Sequence, residues 1–215
     1  MGDRFFKYDS RETEYLKSRD QRISDVIDQI GHISRPVDTD LFSSVIHCII
    51  GQQISTKAEQ TIWKRMKEAL GDITPESIDA ASREELQSLG MTFRKADYIK
   101  EFCHEVMTGE VDLDEISYLP DDEAIKELIK IKGIGVWTAE MILLFCLQRP
   151  DVFSFGDLAI RRGLRMVYHH RKITPQLFEK YRRRFSPCCS VASLYLWAVA
   201  GGAIPEMRDY APKRK

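Results

Sequence analysis

Residues 128–140 read LIKIKGIGVWTAE, in which an apolar helix end runs into a glycine hairpin and a second helix follows. Gly133 and Gly135 are spaced two apart, so backbone amides can crowd together where a Cβ would obstruct approach. The second helix is expected to start at residues 136–138. Unpaired N–H groups and the positive dipole end at such a start favour an anion. The segment therefore predicts binding of a nucleic-acid phosphate.

Composition sets limits on how such binding works. The chain has 215 residues, 43% of them hydrophobic, with 32 basic and 33 acidic residues and a net charge of −1. It can form one large domain or two small ones, and any DNA contact must use a local basic face rather than bulk charge. Solvated helix faces are the alternative interpretation of the basic clusters. These clusters lie late in the chain, at Arg161, Arg162, Arg165, Arg171, Lys172, Arg182, Arg183, Arg184, Lys213, Arg214 and Lys215.

The five cysteines include no CxxC pair, which argues against a zinc site. An odd cysteine count and the lack of a signal-peptide pattern predict a reducing, cytoplasmic location, with association to the nucleoid if the protein binds bacterial DNA. No apolar run reaches about 18 residues, so no membrane partner is expected.

Apolar residues recur at helical spacing along most of the chain, and strand signals are nearly absent. The sequence therefore predicts an all-α fold of roughly ten helices joined by short turns. Prolines at 36 and 150 mark candidate boundaries. They suggest a six-helix, barrel-like domain at residues 36–149 and a second helical domain built from both termini, residues 1–35 plus 150–215.

Three segments together resemble a known family. IKGIGVWTAEMIL followed by FSFGDLAIRRG is similar to the hairpin and catalytic aspartate of the helix-hairpin-helix (HhH-GPD) DNA glycosylases. IIGQQISTKAEQTIW, residues 49–63, resembles the turn that carries their wedge residue. The combination is most similar to the bacterial DNA-3-methyladenine glycosylase II branch. The resemblance implies an active-site cleft between two helical domains, flipping of a damaged nucleotide from double-stranded DNA, and removal of alkylated purines such as 3-methyladenine and 7-methylguanine.

The resemblance makes Asp157 the expected catalytic residue. Breaking an N-glycosidic bond builds positive charge on the sugar, which a fixed carboxylate can stabilise while it orients or deprotonates water. The structural alternative is that Asp157 only N-caps the helix over residues 158–167. Both roles can coexist, because a capping carboxylate can also face a ligand.

Trp137 occupies the position where bifunctional relatives resembling endonuclease III carry a lysine nucleophile. Tryptophan cannot form a Schiff base, so the resemblance implies a monofunctional enzyme without lyase activity. Trp137 is also a candidate to stack on a cationic flipped base. The alternative is simple packing at the start of its helix.

The other contacts implied by the resemblance lie in the hairpin and in the wedge turn. Gln53 is expected to fill the space left by the flipped nucleotide and to hydrogen-bond the orphaned partner base; a satisfied turn glutamine is the alternative. Backbone carbonyls of Ile129, Ile131 and Ile134 match positions that hold a monovalent cation, Na⁺ or K⁺, in the family. The full set of expected DNA contacts is Gln53, Ser55, Lys57, Lys132, Gly133, Gly135 and Thr138.

The walls of the base pocket are predicted from aromatic residues, each of which is by default a core residue. With Trp137, the candidates are Phe42, Phe155, Tyr195 and Trp197. Relatives can place a tryptophan after the proline that opens the last helix, whereas this chain has Cys188 after Pro187. That departure bears on the range of substrates.

Further expectations concern cofactors, partners and rival functions. The clustered cysteines of an iron–sulfur loop are missing, so no cofactor is expected beyond the hairpin cation. The N-terminal sheet domain of some relatives is also expected to have no counterpart, and a monomer would suit binding to one lesion. The rival functions are excision of an oxidised or deaminated base, a non-catalytic DNA-binding module, and a helical protein–protein scaffold.

Overall fold

The computed structural model describes residues 5–212 and confirms the all-α prediction. In that range the chain forms thirteen helices. Extended backbone pairs there only in an isolated bridge between Phe5 and Pro36. The helices are α1 (Ser10–Arg19), α2 (Gln21–Ile30), α3 (Leu41–Gly51), α4 (Thr56–Leu70), α5 (Pro75–Ala80), α6 (Arg83–Ser88), α7 (Phe93–Thr108), α8 (Leu113–Tyr118), α9 (Asp121–Leu128), α10 (Val136–Phe145), α11 (Leu158–Tyr168), α12 (Pro175–Phe185) and α13 (Cys189–Ala200).

The structure has more helices than the roughly ten predicted, because two of them give weak sequence signals. Helix α1 is strongly polar and buries only Leu16, so it lacks an apolar stripe. Helix α8 has six residues, too few to establish a helical period. In α1 a capping box at Asp9 and Glu12 stabilises the first turn.

Capping side chains define the start of several helices. Three patterns in the sequence predict such starts: Thr74-Pro75, Thr174-Pro175 and Ser82-x-x-Glu85. In the structure Thr74 accepts a hydrogen bond from the Ser77 amide and Thr174 from the Leu177 amide, and Ser82 and Glu85 form the capping box of α6. These three predictions are confirmed because capping is local chemistry.

The chain divides into two compact units, Asp38–Leu147 and a second unit of residues 5–37 together with 148–212. These boundaries lie close to those suggested by Pro36 and Pro150. The Asp38–Leu147 unit contains α3 to α10, eight helices rather than the predicted six. The difference arises from short helices such as α5, α6 and α8.

Each unit has its own apolar core. In the Asp38–Leu147 unit, α3 buries Ile46, Ile49 and Ile50 completely, and α10 is buried over most of its surface. In the other unit α11 packs closely on α13: a Cβ added at Gly163 would lie 2.4 Å from the carbonyl oxygen of Leu196. This close approach fixes the helix that starts at Asp157.

No helix within residues 5–212 combines the length and the apolar character needed to cross a membrane. The last basic cluster of the sequence, at positions 213–215, lies outside the described part of the chain.

Candidate nucleic-acid interface and catalytic carboxylate

The glycine hairpin links α9 to α10. It is closed by a hydrogen bond from the Ile134 amide to the Ile131 carbonyl oxygen at 3.0 Å, and both isoleucines bury their side chains. Gly133 has φ +89°, and a Cβ there would lie 2.7 Å from Cδ2 of Tyr98. The turn therefore requires glycine at position 133 for two reasons, the left-handed backbone and the lack of space.

Gly135 differs from Gly133, because the fold itself does not require a glycine there. Its φ is −96°, and an added Cβ would meet nothing within 4 Å. Gly135 is exposed and is the N-cap of α10, and no side chain in residues 5–212 caps this helix. An exposed helix start without a side-chain cap, approached over a glycine, suits a phosphate.

The first turn of α10 presents apolar surface on one side of the hairpin. Val136 is 55% exposed and Trp137 is 49% exposed. About half of the Trp137 side chain is therefore accessible to a ligand. Thr138, by contrast, buries its side chain, so a DNA contact from this residue would use its backbone amide.

Lys132 is exposed and forms an ion pair with Glu101. That hydrogen bond with Glu101 raises the pKa of Lys132 above its ordinary value. The Lys132 ammonium is therefore held beside the hairpin, where its charge is paired with that of the Glu101 carboxylate.

The turn between α3 and α4, residues 52–55, is called the wedge turn below. Gln53 is exposed and has φ 58°, a left-handed conformation that is uncommon for a side-chain-bearing residue. Ser55 caps α4 by accepting from the Ala58 amide at 3.3 Å, and Lys57 is exposed in the first turn of that helix. The structure thus displays Gln53 at the tip of a tight turn.

One hydrogen bond joins the wedge turn to the hairpin and two others hold its start against α7, and the sequence predicted none of them. Nε2 of Gln52 donates to the carbonyl oxygen of Gly133 at 2.6 Å. Nζ of Lys95, on α7, donates to the carbonyl oxygens of Ile50 and Gln52, each at 2.7 Å. The GQQIS pattern points to a glutamine but does not say which of the two faces outward.

Asp157 is the N-cap of α11, as the structural alternative proposed. Its Oδ1 accepts from the amides of Ala159 and Ile160, both at 2.8 Å, and from Nε1 of Trp197 at 3.1 Å. The residue is 7% exposed. Three donors on one oxygen hold the carboxylate rigidly, because hydrogen bonds to a charged acceptor are strong.

The Asp157 side chain is buried, but the chain on either side of it is not. The neighbouring residues, Gly156 and Leu158, are exposed, and Leu158 is 74% exposed despite its apolar side chain. The buried cap of α11 therefore lies between two residues at the surface of its unit.

Two of the predicted pocket walls are core residues. Phe42 is buried and stacks on Phe102 with ring centroids 5.4 Å apart. Tyr195 is completely buried, and its hydroxyl donates to the carbonyl oxygen of Gly31 at 2.9 Å. Residues two apart are about 200° apart around a helix, so Tyr195 and Trp197 face different sides of α13. Trp197 donates to Asp157, whereas Tyr195 lies in the core, as its default interpretation has it.

Phe155 and the arginines of α11 lie in the unit that contains Asp157. Arg162 and Arg165 both form ion pairs with Asp209. Arg161 instead lies over the ring of Phe155, with Cζ 4.9 Å from the ring centroid. Its Nε is buried and has no hydrogen-bond partner in the described structure. Arg161 is therefore a cation that no acidic side chain neutralises, one helical turn after Asp157.

The predicted cation ligands come from the hairpin. The carbonyl oxygen of Ile131 accepts the Ile134 amide and keeps a second lone pair. Ile129 is the C-cap of α9, where helix carbonyls turn outward. Within residues 5–212 no cluster of three or more His, Cys, Asp or Glu side chains could hold a metal ion.

Cys188 follows Pro187, at the position where the resemblance predicts a tryptophan in some relatives. Its side chain is buried.

Comparison with known proteins places these features in one family. The family model of HhH-GPD superfamily base excision DNA repair proteins matches residues 46–188, more than half of the chain. DNA-3-methyladenine glycosylase 1 of Schizosaccharomyces pombe is 33% identical over 161 residues, 73% of this chain and 71% of that protein. The chain spans only 62% and 60% of the length of curated relatives from Bacillus subtilis and Escherichia coli.

Solved structures match over nearly the whole chain. A DNA-3-methyladenine glycosidase from Bacillus halodurans has a TM-score of 0.84 and 34% identity, and the match covers 96% of this chain and 97% of the other. The S. pombe 3-methyladenine DNA glycosylase Mag1, solved in complex with abasic DNA, has a TM-score of 0.76 and 28% identity, covering 89% and 97% of the two chains.

Proposed function

Because this chain belongs to the HhH-GPD superfamily of base excision DNA repair proteins, we propose that it is a monofunctional DNA glycosylase. Its substrates are alkylated purines of the 3-methyladenine and 7-methylguanine type in double-stranded DNA. The observation that carries the proposal is the rigidly held Asp157 carboxylate, which occupies the position of the catalytic aspartate in the family's motif. The names of the similar proteins support the substrate class.

The chemistry follows from the charge of the substrate. An alkylated purine carries a formal positive charge, so the glycosidic bond electrons leave readily with the base and neutralise it. The sugar is left with an oxocarbenium-like positive charge at C1′, which the Asp157 carboxylate stabilises electrostatically. Water then adds its oxygen to C1′ and loses one proton, with the same carboxylate as the general base. The products are a free purine and an abasic site.

DNA binding is assigned to the hairpin and the wedge turn. The exposed start of α10, approached over Gly135, binds a backbone phosphate, and the Lys132 ammonium exchanges its ion pair with Glu101 for a contact with the DNA backbone beside it. Gln53 enters the base stack from the tip of its turn as the damaged nucleotide leaves it. The solved complex of Mag1 with abasic DNA supports DNA as the partner. Arg161 is a further candidate for a phosphate, because no carboxylate neutralises it.

A monovalent cation at the hairpin is compatible with the residues present. Neutral backbone carbonyls are hard oxygen ligands that suit Na⁺ or K⁺. The carbonyls of Ile129, Ile131 and Ile134 would hold it, and its charge would reinforce the attraction of the hairpin for a phosphate.

The monofunctional assignment rests on Trp137. A lyase needs an amine that attacks C1′ and forms a Schiff base, and an indole cannot do this. Incubation with abasic-site DNA and borohydride should therefore leave no covalent protein–DNA complex, whereas endonuclease III run in parallel should form one. A trapped complex would contradict the assignment.

The substrate class is tested by a base-release assay. The protein is incubated with duplex DNA treated with a methylating agent, and the released bases are separated by chromatography. The proposal predicts free 3-methyladenine or 7-methylguanine. Release only from duplexes with an oxidised or deaminated base would replace the substrate class, and DNA binding with no release would indicate a non-catalytic module.

A further inference from the structure

We infer that Gln52 and Lys95 are positioning residues that hold the wedge turn at a fixed distance from the DNA-binding hairpin. Binding of the DNA backbone by the hairpin then places Gln53 where it enters the base stack. This inference rests on the proposed function, because it assigns Gln53 to the base stack. Neither Gln52 nor Lys95 needs to touch DNA for this role.

The first support is the contact between the two DNA-binding loops. The Gln52 side chain crosses from the wedge turn to the Gly133 carbonyl, over a sequence separation of 81 residues. Gly133 is itself fixed, since its backbone is left-handed and lies against the Tyr98 ring. The Gln52 amide therefore joins the residue before the wedge to the most constrained point of the hairpin.

The second support is the way Lys95 holds the turn from the other side. Its ammonium binds the carbonyls of Ile50 and Gln52, at the C-terminal end of α3, where a positive charge is favourable. Burial lowers the pKa of the Lys95 side chain from its ordinary value. A partly buried ammonium loses hydration, so its two carbonyl contacts keep it in this place.

The mechanical reason concerns the load on the turn. Unstacking a base costs a few kcal/mol, and the stacked duplex pushes back on the side chain that enters it. Gln53 itself has a left-handed backbone conformation in a four-residue turn. Without further contacts, such a turn could change its backbone conformation when the side chain is pushed back. The hydrogen bonds of Gln52 to the hairpin and of Lys95 from α7 resist this change, so the turn keeps its conformation while Gln53 enters the stack.

The chain offers a matched control for the lysine. Lys100, on the same helix α7, also donates to two backbone carbonyls, those of Asp79 and Ala81, at 2.9 and 2.6 Å. These acceptors lie at the end of α5 and not in the wedge turn. Lys100→Met therefore removes a comparable pair of bonds without touching either DNA-binding loop.

The test compares wild type, Gln52→Met, Lys95→Met and Lys100→Met on two duplexes in single turnover. One carries 7-methylguanine in a normal pair, and the other carries it in a bulge, where the base is already unstacked. In the paired duplex, a 2-aminopurine next to the cytosine opposite the lesion reports entry into the stack by its fluorescence, whether or not excision follows. Affinity for undamaged DNA and melting temperature are measured in parallel.

We expect Gln52→Met and Lys95→Met to slow excision from the paired duplex by roughly 10-fold or more, as for loss of a buried hydrogen bond. The same variants should stay within about 3-fold of wild type on the bulged duplex, a difference of under 1 kcal/mol. The fluorescence rise should diminish in parallel, and affinity for undamaged DNA should be kept. Lys100→Met should slow neither substrate.

Equal slowing on both duplexes would overturn the inference, because these residues would then only maintain the fold. Wild-type rates in both variants would also overturn it, as would a wild-type protein that binds DNA without any fluorescence rise. If Lys95→Met fails to fold, Gln52→Met decides the outcome alone. A wild type that gives the fluorescence rise but releases no base contradicts the proposed function and leaves the fluorescence comparison as the test of the inference.

Discussion

The indole Nε1 of Trp197 donates a hydrogen bond to Oδ1 of Asp157 at 3.1 Å, so a residue of the last helix orients the carboxylate that begins α11. The same oxygen accepts two amides of its own helix. The carboxylate is thus fixed both by local capping and by a contact between helices.

Trp197→Phe removes this donor and keeps an aromatic ring. Hydrogen bonds to charged groups contribute about 1.5–3 kcal/mol, so excision in single turnover should slow by about 10-fold or more while DNA affinity is unchanged. Tyr195→Phe is the control, because it loses a hydrogen bond on the opposite face of α13. Equal rates in wild type and Trp197→Phe would show that the indole does not position Asp157.

Gln53→Gly tests the wedge without straining the turn. Glycine adopts φ 58° freely, so the free energy of unfolding should stay the same or rise by up to about 1 kcal/mol. Loss of the side chain should abolish the fluorescence rise of a 2-aminopurine next to the cytosine opposite the lesion. A full fluorescence rise in this variant would mean that another residue fills the stack.

The two hairpin glycines should respond differently to alanine. Gly133→Ala meets the Tyr98 ring at 2.7 Å and imposes φ +89° on a residue with a Cβ, so it should destabilise the protein by about 2 kcal/mol or more. Gly135→Ala meets nothing within 4 Å and should leave the melting temperature unchanged. If the amides near Gly135 bind phosphate, its DNA affinity should nevertheless fall. Unchanged affinity in Gly135→Ala would argue against a phosphate at this helix start.

The carboxyl of Glu105 gives the protein a pH-dependent stability. Burial, followed by the nearby charges of Glu101 and Glu110, raises its pKa above the ordinary 4.5. Because the folded pKa is higher than the unfolded one, the favourable contribution is present below pH about 4.5 and is lost as pH rises through the folded pKa. Glu105→Gln should therefore raise the melting temperature at pH 7 and have little effect at pH 4. A stabilisation of equal size at both pH values would contradict this cause.

The sequence predicted those parts of the structure that depend on local chemistry. Helix starts at Thr74, Ser82 and Thr174 follow from capping residues, and the hairpin at Gly133 follows from its glycine spacing. The polar helix α1 escaped prediction because a single buried leucine gives no period.

Contacts between distant residues could not be predicted from spacing. The Gln52 to Gly133 bond joins residues 81 apart and the Trp197 to Asp157 bond joins residues 40 apart. No local pattern marks Lys95 as the partner of two carbonyls. The sequence does not distinguish the two aromatic residues Tyr195 and Trp197. Their positions around α13 make Tyr195 a core residue and Trp197 a hydrogen-bond donor to Asp157.

The most direct test of the central claim is the rate at which Asp157→Asn releases methylated purines from duplex DNA, beside wild type under single turnover. Asparagine caps a helix about as well as aspartate, so the variant should fold and bind DNA normally. We expect wild type to release 3-methyladenine or 7-methylguanine and Asp157→Asn to release them only at the rate of spontaneous loss. Release by Asp157→Asn at the wild-type rate would contradict a catalytic role of this carboxylate.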